Sequence, residues 1–335
     1  MGGLIDGHEV NFARSLTRRY RLHPPVDVAA LVQQYARLEF KRIPFTSVDG
    51  VSLNLKVSGR KPKVIVNSAN SHARQRFTLA HELGHIIIPW HTGTIIDELD
   101  PSVSFGEWYE REQEANAFAA ELLIPSEWLE NLIATERDLG RLHAYVITTC
   151  DISAQAAAIN LIKRLPRNII CAAERNGVVE FSGHTEGSTA HRPAWGEELP
   201  PNPYQYVEDY YSFTSQSRRI HWWRIPTEVT LAANDRRSWR EILDQVVAES
   251  GVPPGQRHTV KQSITAVISA ANSQAKKVGP HTVAGIVSFA VHMFQRSESN
   301  AIRRYPRLLE HPKFEAFLVK RAQDFKLGSV GRADR

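Results

Sequence analysis

Residues 76–88, Arg-Phe-Thr-Leu-Ala-His-Glu-Leu-Gly-His-Ile-Ile-Ile, form an apolar segment that ends at Pro89. Two histidines in this segment, His81 and His85, are four residues apart. On a helix this spacing puts both side chains on one face, one turn apart, so both imidazoles can reach a single Zn²⁺ ion. Glu82 lies beside them and can accept a proton from a water that the metal activates. The segment therefore predicts a helix that carries a metal site.

A metal site that activates water needs a third protein ligand, and the sequence offers two candidates. His91 lies six residues after the second histidine, as in the metzincins, but Ile88 stands where that pattern has a glycine. The other candidate is Glu112 in a second predicted helix, residues 110–123. Asn116 follows four residues later on the same helix face, where it would bind the free ring N–H of a histidine. The spacing alone leaves both candidates open.

The two helices belong to a wider pattern of residues. It comprises Arg74-x-Arg76-Phe-Thr-Leu-Ala-His81-Glu82-Leu-Gly-His85, then Glu112-x-Glu114-Ala-Asn116-x-Phe118-Ala, then Leu122-Leu-Ile-Pro125. This pattern resembles the ImmA/IrrE family of metallopeptidases. Asn67 upstream and the segment 152–156 downstream fit the flanks of that family, so the resemblance extends over residues 24–165.

The resemblance implies an α+β fold, in which a zincin-like metallopeptidase domain combines the His-Glu-x-x-His helix with a small sheet. It implies His81, His85 and Glu112 as the metal ligands and Glu82 as the catalytic base. Glu114 would replace the third ligand if the register of the second helix is shifted. The expected cofactor is Zn²⁺, although the same donors also hold Mn²⁺ or Fe²⁺.

Peptide hydrolysis also needs a group that stabilises the oxyanion of the transition state. The candidates for this role, or for lining the cleft, are His72, Arg74, Tyr109 and His91. The sequence does not choose among them. The β-branched run 64–67 predicts a strand, which is either a sheet edge that binds an extended substrate or part of the sheet interior.

The length of 335 residues predicts two or three domains. We expect a peptidase domain at residues 1–165, where helical and strand patterns alternate. Residues 166–232 predict a small β-rich module, because alternating segments and many aromatic residues are joined by loops rich in Pro, Gly and Ser. Residues 233–335 predict a basic helical domain with Gly-Pro and His-Pro punctuation.

Composition restricts the class of protein further. Apolar residues make up 42% of the chain and charged residues 23%, which excludes a disordered chain or a fibrous rod. The two cysteines, Cys150 and Cys171, are too few for a disulfide framework. The sequence contains no signal-peptide core and no apolar run of membrane-spanning length, so we expect a cytoplasmic protein without a membrane partner.

The positive charge is concentrated near the C-terminus. Residues 231–335 contain 17 Lys or Arg against 9 Asp or Glu, whereas the rest of the chain contains 24 against 27. Such a surface is either simply solvated or binds nucleic acid, so DNA is a candidate partner. The helix–turn–helix-like layout of residues 263–295 does not favour base readout, because its second helix is nearly all apolar.

The resemblance implies an intracellular zinc endopeptidase that cleaves a regulatory protein. The first candidate substrate is a helix-turn-helix transcriptional repressor, in a stress response or in the control of a mobile genetic element. The alternative is a non-enzymatic regulator or a toxin–antitoxin component, in which the peptidase fold is a sensing platform and the basic tail binds DNA. The intact motif favours the enzyme, because a binding module has no need of Glu82.

Overall fold

Helices and two small sheets make up the chain, and the predicted α+β class is confirmed. The computed structural model describes residues 7–45, 47–96, 105–231, 235–295 and 300–330. The chain divides into two units, Met1–Leu161 and Ile162–Arg335. The finer division into three domains stays a prediction.

The first unit contains a four-stranded sheet. Its strands are β1 (Arg37–Lys41), β2 (Gly50–Leu55), β3 (Lys63–Asn67) and β4 (Gly93–Ile96). Their order is β1-β3-β2-β4, with β1 parallel to β3 and the other pairs antiparallel. The strand predicted at residues 64–67 is β3, and it is paired on both sides. Of the two interpretations of that run, the sheet interior is therefore right and the substrate-binding edge is wrong.

Seven helices of the first unit are described. They are α1 (His8–Tyr20), α2 (Val28–Tyr35), α3 (His72–Ile87), α4 (Phe105–Leu123), α5 (Ser126–Thr135), α6 (Leu139–Cys150) and α7 (Ala154–Ile162). Helix α3 begins four residues before the predicted start and α4 begins five residues before, while both end close to their prolines. Helix α3 packs against α4 on one side and against β2 on the other.

Helix α3 is fixed at both ends by hydrogen bonds. The Ser71 side chain caps its N-terminus by accepting from the backbone N–H of Arg74. At the other end the ammonium group of Lys56 donates to the carbonyl oxygens of His85, at 2.5 Å, and Ile88, at 2.7 Å. Pro89 has no N–H to donate to the carbonyl of His85, and the carbonyl of Ile88 also accepts from the backbone N–H of His91, so Lys56 supplements the bonds at this C-terminus.

Gly84 brings α3 and α4 close together. A Cβ atom at this position would lie 3.1 Å from the Phe118 ring and 3.3 Å from the backbone of Ala115. A larger residue would push the two helices apart. The glycine in the motif is therefore explained by packing, and it sets the distance between the helices that carry the predicted ligands.

The second unit contains a four-stranded antiparallel sheet and a group of helices. The strands are β5 (Ile169–Arg175), β6 (Val178–His184), β7 (Asp209–Ser215) and β8 (Arg218–Arg224), in the order β6-β5-β8-β7. The helices are α8 (Trp239–Glu249), α9 (Arg257–Val278), α10 (Val283–Gln295), α11 (Asn300–Arg303), α12 (Arg307–Glu310) and α13 (Phe314–Val330). Apolar side chains of α8, α9, α10 and α13 form one core. None of the helices in the described part of the chain is both long and apolar enough to cross a bilayer.

Candidate metal centre

Helices α3 and α4 bring three predicted ligands together in the first unit. Nε2 of His81 lies 3.0 Å from Nε2 of His85 and 3.1 Å from Oε2 of Glu112. Oε1 of Glu112 lies 3.4 Å from Nε2 of His85. Both histidines are buried, and the carboxylate is mostly buried. Among the residues that the structure describes, these three form the group of His, Cys, Asp or Glu side chains with the geometry to hold a metal ion.

A hydrogen bond behind His81 fixes its tautomer. Oδ1 of Asn116 lies 3.1 Å from Nδ1 of His81. Because an amide oxygen only accepts, Nδ1 carries the proton and Nε2 presents its lone pair to the cluster. Asn116 thus lies at the position that the sequence predicts, and it binds the ring nitrogen of His81 that faces away from the cluster.

A longer chain of hydrogen bonds fixes His85. Oε2 of Glu114 lies 2.7 Å from Nε2 of His91 and also accepts from Nε1 of Trp90, at 2.6 Å. Since the carboxylate accepts, His91 donates through Nε2 and accepts through Nδ1, which lies 2.8 Å from Nδ1 of His85. His85 therefore carries its proton on Nδ1, and its Nε2 also presents a lone pair to the cluster.

In these tautomers Nε2 of His81, Nε2 of His85 and the carboxylate of Glu112 all present lone pairs to one another, and no proton lies between these atoms. Burial lowers the pKa of His85 to about 3, so this imidazole is neutral at pH 7. Oε1 of Glu112 is buried and has no hydrogen-bond partner among the described residues. Neutral imidazoles and an ionised carboxylate are the forms that bind a divalent cation, so the residues fit a metal site.

Glu82 lies next to His81 on α3, at the edge of the ligand face where the sheet covers it. The side chain is buried, and its Oε2 accepts a hydrogen bond from the hydroxyl of Ser52 on β2. Gly50 allows this approach, because a Cβ atom there would come within 2.7 Å of Oε1 of Glu82. Ser52 was missed by the sequence analysis. The signal that could have revealed it is a serine at a buried position of an alternating strand, since buried polar side chains need a partner.

The remaining candidates from the sequence take different positions. His72 is the first residue of α3, so it lies two and a half helical turns before His81. Its side chain contacts Asp151. Tyr109 lies on α4 and is about half exposed. Neither residue belongs to the group of three converging side chains. Tyr109 nevertheless precedes Glu112 by three residues on the same helix face, so it stays a candidate for lining the cleft.

The three other candidates are each engaged by a neighbour. Arg74 is also exposed on α3 and forms an ion pair with Asp49. His91 and Glu114 support His85 from behind and do not join the cluster itself.

This helix-and-sheet fold holds two histidines and a glutamate around a buried site, with a further glutamate beside them. The arrangement is typical of a metallopeptidase domain. The profile of the IrrE N-terminal-like domain, Peptidase_M78, matches residues 35–161. Residues 35–161 therefore form a domain of the ImmA/IrrE family, and the assignment extends over these residues alone.

Two curated relatives support this assignment. The radiation response metalloprotease IrrE of Deinococcus deserti is 30% identical over 141 residues, which are 38% of this chain and 50% of the relative. The protein of the same name from Deinococcus radiodurans is 32% identical over 111 residues, which are 32% of this chain and 33% of the relative. The chain thus matches half or less of the length of these relatives.

Proposed function

We propose that the protein is a zinc-dependent endopeptidase in which His81, His85 and Glu112 hold the metal. The observation that carries the proposal is the convergence of two imidazole lone pairs and one carboxylate in a buried site. Three such acceptors repel one another unless a cation lies between them. The family assignment and the names of the two relatives support a metallopeptidase as well.

A bound Zn²⁺ would lower the pKa of a water molecule and polarise the carbonyl group of a peptide bond. Glu82 then takes the proton of the attacking water and delivers it to the leaving amine. Ser52 holds one carboxylate oxygen of Glu82 in place through its hydrogen bond. Asn116 and His91 keep the two imidazoles in the tautomers that expose Nε2.

Strand β4 provides the binding edge for an extended substrate. It pairs with β2 on one side, with Ser52 opposite Ile95, and has no strand on its other side among the described residues. A peptide that adds to this edge forms backbone hydrogen bonds without regard to its sequence. Since Ser52 also contacts Glu82, a peptide on β4 runs close to the catalytic base. This edge takes the role that the sequence analysis considered for residues 64–67.

We further propose that the substrate is a regulatory protein, with a helix-turn-helix repressor as the first candidate. Both relatives carry the words "radiation response" in their names, which favours a stress response for this chain too. DNA binding by residues 231–335 stays a prediction. Salt-dependent binding of the full chain to duplex DNA would test it, because phosphate contacts weaken as salt rises.

The test of the proposed function is Glu82→Gln in the full chain. The amide keeps the size of the side chain but cannot accept the proton, so we expect cleavage to fall by about 10²- to 10⁴-fold while the zinc content stays the same. Cleavage is followed on an unfolded protein such as casein and on the repressor encoded nearest to this chain. Glu110→Gln, on the exposed surface of α4, is the matched control. Equal cleavage by Glu82→Gln and the control would refute the assignment of the base.

A further inference from the structure

A cavity of about 390 Å³ lies in the first unit between α3, the end of α4 and α7. Its walls are mainly apolar: Phe77, Ala120, Ile124, Ile152, Ala156 and Ile159. Its size is within the range of sites that bind small molecules or side chains. Protein interiors are normally close-packed, so a space of this size is available to a ligand.

The cavity adjoins the candidate metal centre. Phe77 precedes His81 by one helical turn on the same face of α3, and the two ring centroids are 6.2 Å apart. Ala120 follows Asn116 by one turn on α4, and Asn116 binds His81. Both helices therefore continue from the metal centre into the cavity wall, about 6 Å beyond His81 on α3 and about 12 Å beyond Glu112 on α4.

Arg74 makes the mouth of the cavity polar, but an ion pair with Asp49 neutralises its charge. The guanidinium group of Arg74 lies 5.9 Å from the centre of the Phe77 ring, at the rim. Arg74 also binds Asp49, with 2.7 Å between Nε and Oδ2. Because the ion pair neutralises the charge of Arg74, the cavity should bind an apolar group more tightly than a charged one.

We propose that this cavity is the specificity pocket of the peptidase and binds a large apolar side chain, such as Leu, Met or Phe, of a substrate residue next to the scissile bond. The inference rests on the proposed function, since it assumes that the peptide is cleaved at the adjacent metal centre. The backbone of the substrate is held at the edge of β4, which selects no sequence. The pocket then decides where along the polypeptide cleavage takes place.

The test measures the binding of two small hydroxamates, alanine hydroxamate and leucine hydroxamate, to the zinc-loaded full chain by calorimetry. Both carry the same metal-binding group and the same charge, and they differ only in the side chain. We expect leucine hydroxamate to bind at least tenfold more tightly, because burial of its additional methyl and methylene groups is favourable. The readout is a ratio of two dissociation constants and does not require any cleavage.

Three variants connect this ratio to the pocket. Ala156→Phe fills the cavity from α7, so the ratio should fall close to one. Ile159→Ala removes apolar surface from the cavity wall and should reduce the ratio about threefold. Because Ile159 is exposed, its truncation should not disturb folding. Ala144→Phe, on α6 and outside the cavity, is the matched control and should keep the ratio of the unmodified chain.

The outcomes separate the pocket from the peptidase. If both hydroxamates bind with equal affinity, or if Ala156→Phe and Ile159→Ala leave the ratio unchanged, the pocket is not a specificity site although the metal centre stands. If the purified chain takes up no metal and binds neither hydroxamate, the proposed function fails and the pocket with it. Circular dichroism of each variant shows that a changed ratio does not result from unfolding.

Discussion

Helices α3 and α10 are both buried over eight consecutive residues, but they are buried for different reasons. In α3 the buried run, residues 78–85, includes His81, Glu82 and His85. In α10 the buried run, residues 285–292, is mostly Ile, Val, Phe and Ala. Helix α3 thus places three ionisable groups in the interior, whereas α10 buries one, His292, in a run of mostly apolar side chains.

This difference in the buried side chains distinguishes α3, which forms a candidate functional site, from α10, which supports the fold. Burial of polar groups costs free energy unless each of them has a partner. In the first unit Ser52, Asn116 and His91 supply those partners, and each of them points at a side chain of α3. In the second unit α10 packs against apolar side chains of α8, α9 and α13. We therefore expect substitutions in α3 to change chemistry and substitutions in α10 to change stability.

The largest effect is expected for Glu112→Ala, measured by the zinc affinity of the purified chain. The substitution removes a proposed direct ligand, so the affinity should fall by well over the 10- to 100-fold typical of residues that hold a ligand in place through a hydrogen bond. His91→Ala removes such a supporting residue and should stay within that range. Phe289→Ala in α10 should leave zinc binding unchanged. A greater loss for His91→Ala than for Glu112→Ala would revive the metzincin-like choice of ligands.

The second prediction concerns Phe289→Ala and the core of the second unit. Truncation of a buried phenylalanine leaves a cavity and should cost about 3–5 kcal/mol. Hydrogen exchange of the α10 amides measures this loss locally, which matters because the two units need not unfold together. Trp195→Ala, which truncates an aromatic residue that is 81% exposed, should cost less than about 0.5 kcal/mol. Loss of zinc from Phe289→Ala would contradict the separation of the two roles.

The contrast also explains what the sequence could predict. The four-residue spacings of His81 and His85 and of Glu112 and Asn116 determine helix faces, so local geometry is enough to make them candidates. That these two faces meet follows from the family pattern and not from the spacing. The reason why they can approach each other is Gly84, whose lack of a side chain leaves room for Ala115 and Phe118.

Other features depend on pairing between distant segments and left no local signal. Nothing near Lys56 indicates that its ammonium group would cap the end of α3. The alternation of apolar and polar residues in β2 is typical of a strand, but only the sheet order brings Ser52 to Glu82. In the same way, the run at 64–67 predicted a strand without showing whether it lies inside the sheet or at its edge. Strand order is a tertiary property, so periodicity alone does not contain it.

The smallest expected effect is a pH dependence that belongs to α10. Burial lowers the pKa of His292 from 6.5 to about 4, because the charged imidazolium is disfavoured in the apolar core. Between these two values the unfolded chain binds a proton that the folded chain does not, so stability falls as the pH falls through this window. His292→Leu removes that proton.

The loss of stability between pH 7.5 and pH 4.5 should therefore be about 2 kcal/mol smaller in His292→Leu than in the unmodified chain. Hydrogen exchange of the α10 amides at both pH values, corrected for intrinsic rates, measures the difference without interference from buried His143 in the first unit, whose pKa burial also lowers to about 4. His258→Leu, on the exposed face of α9, is the control and should keep the original pH dependence. Identical pH dependence in both variants would mean that His292 takes up its proton within the folded core, which would contradict the lowering of its pKa by burial.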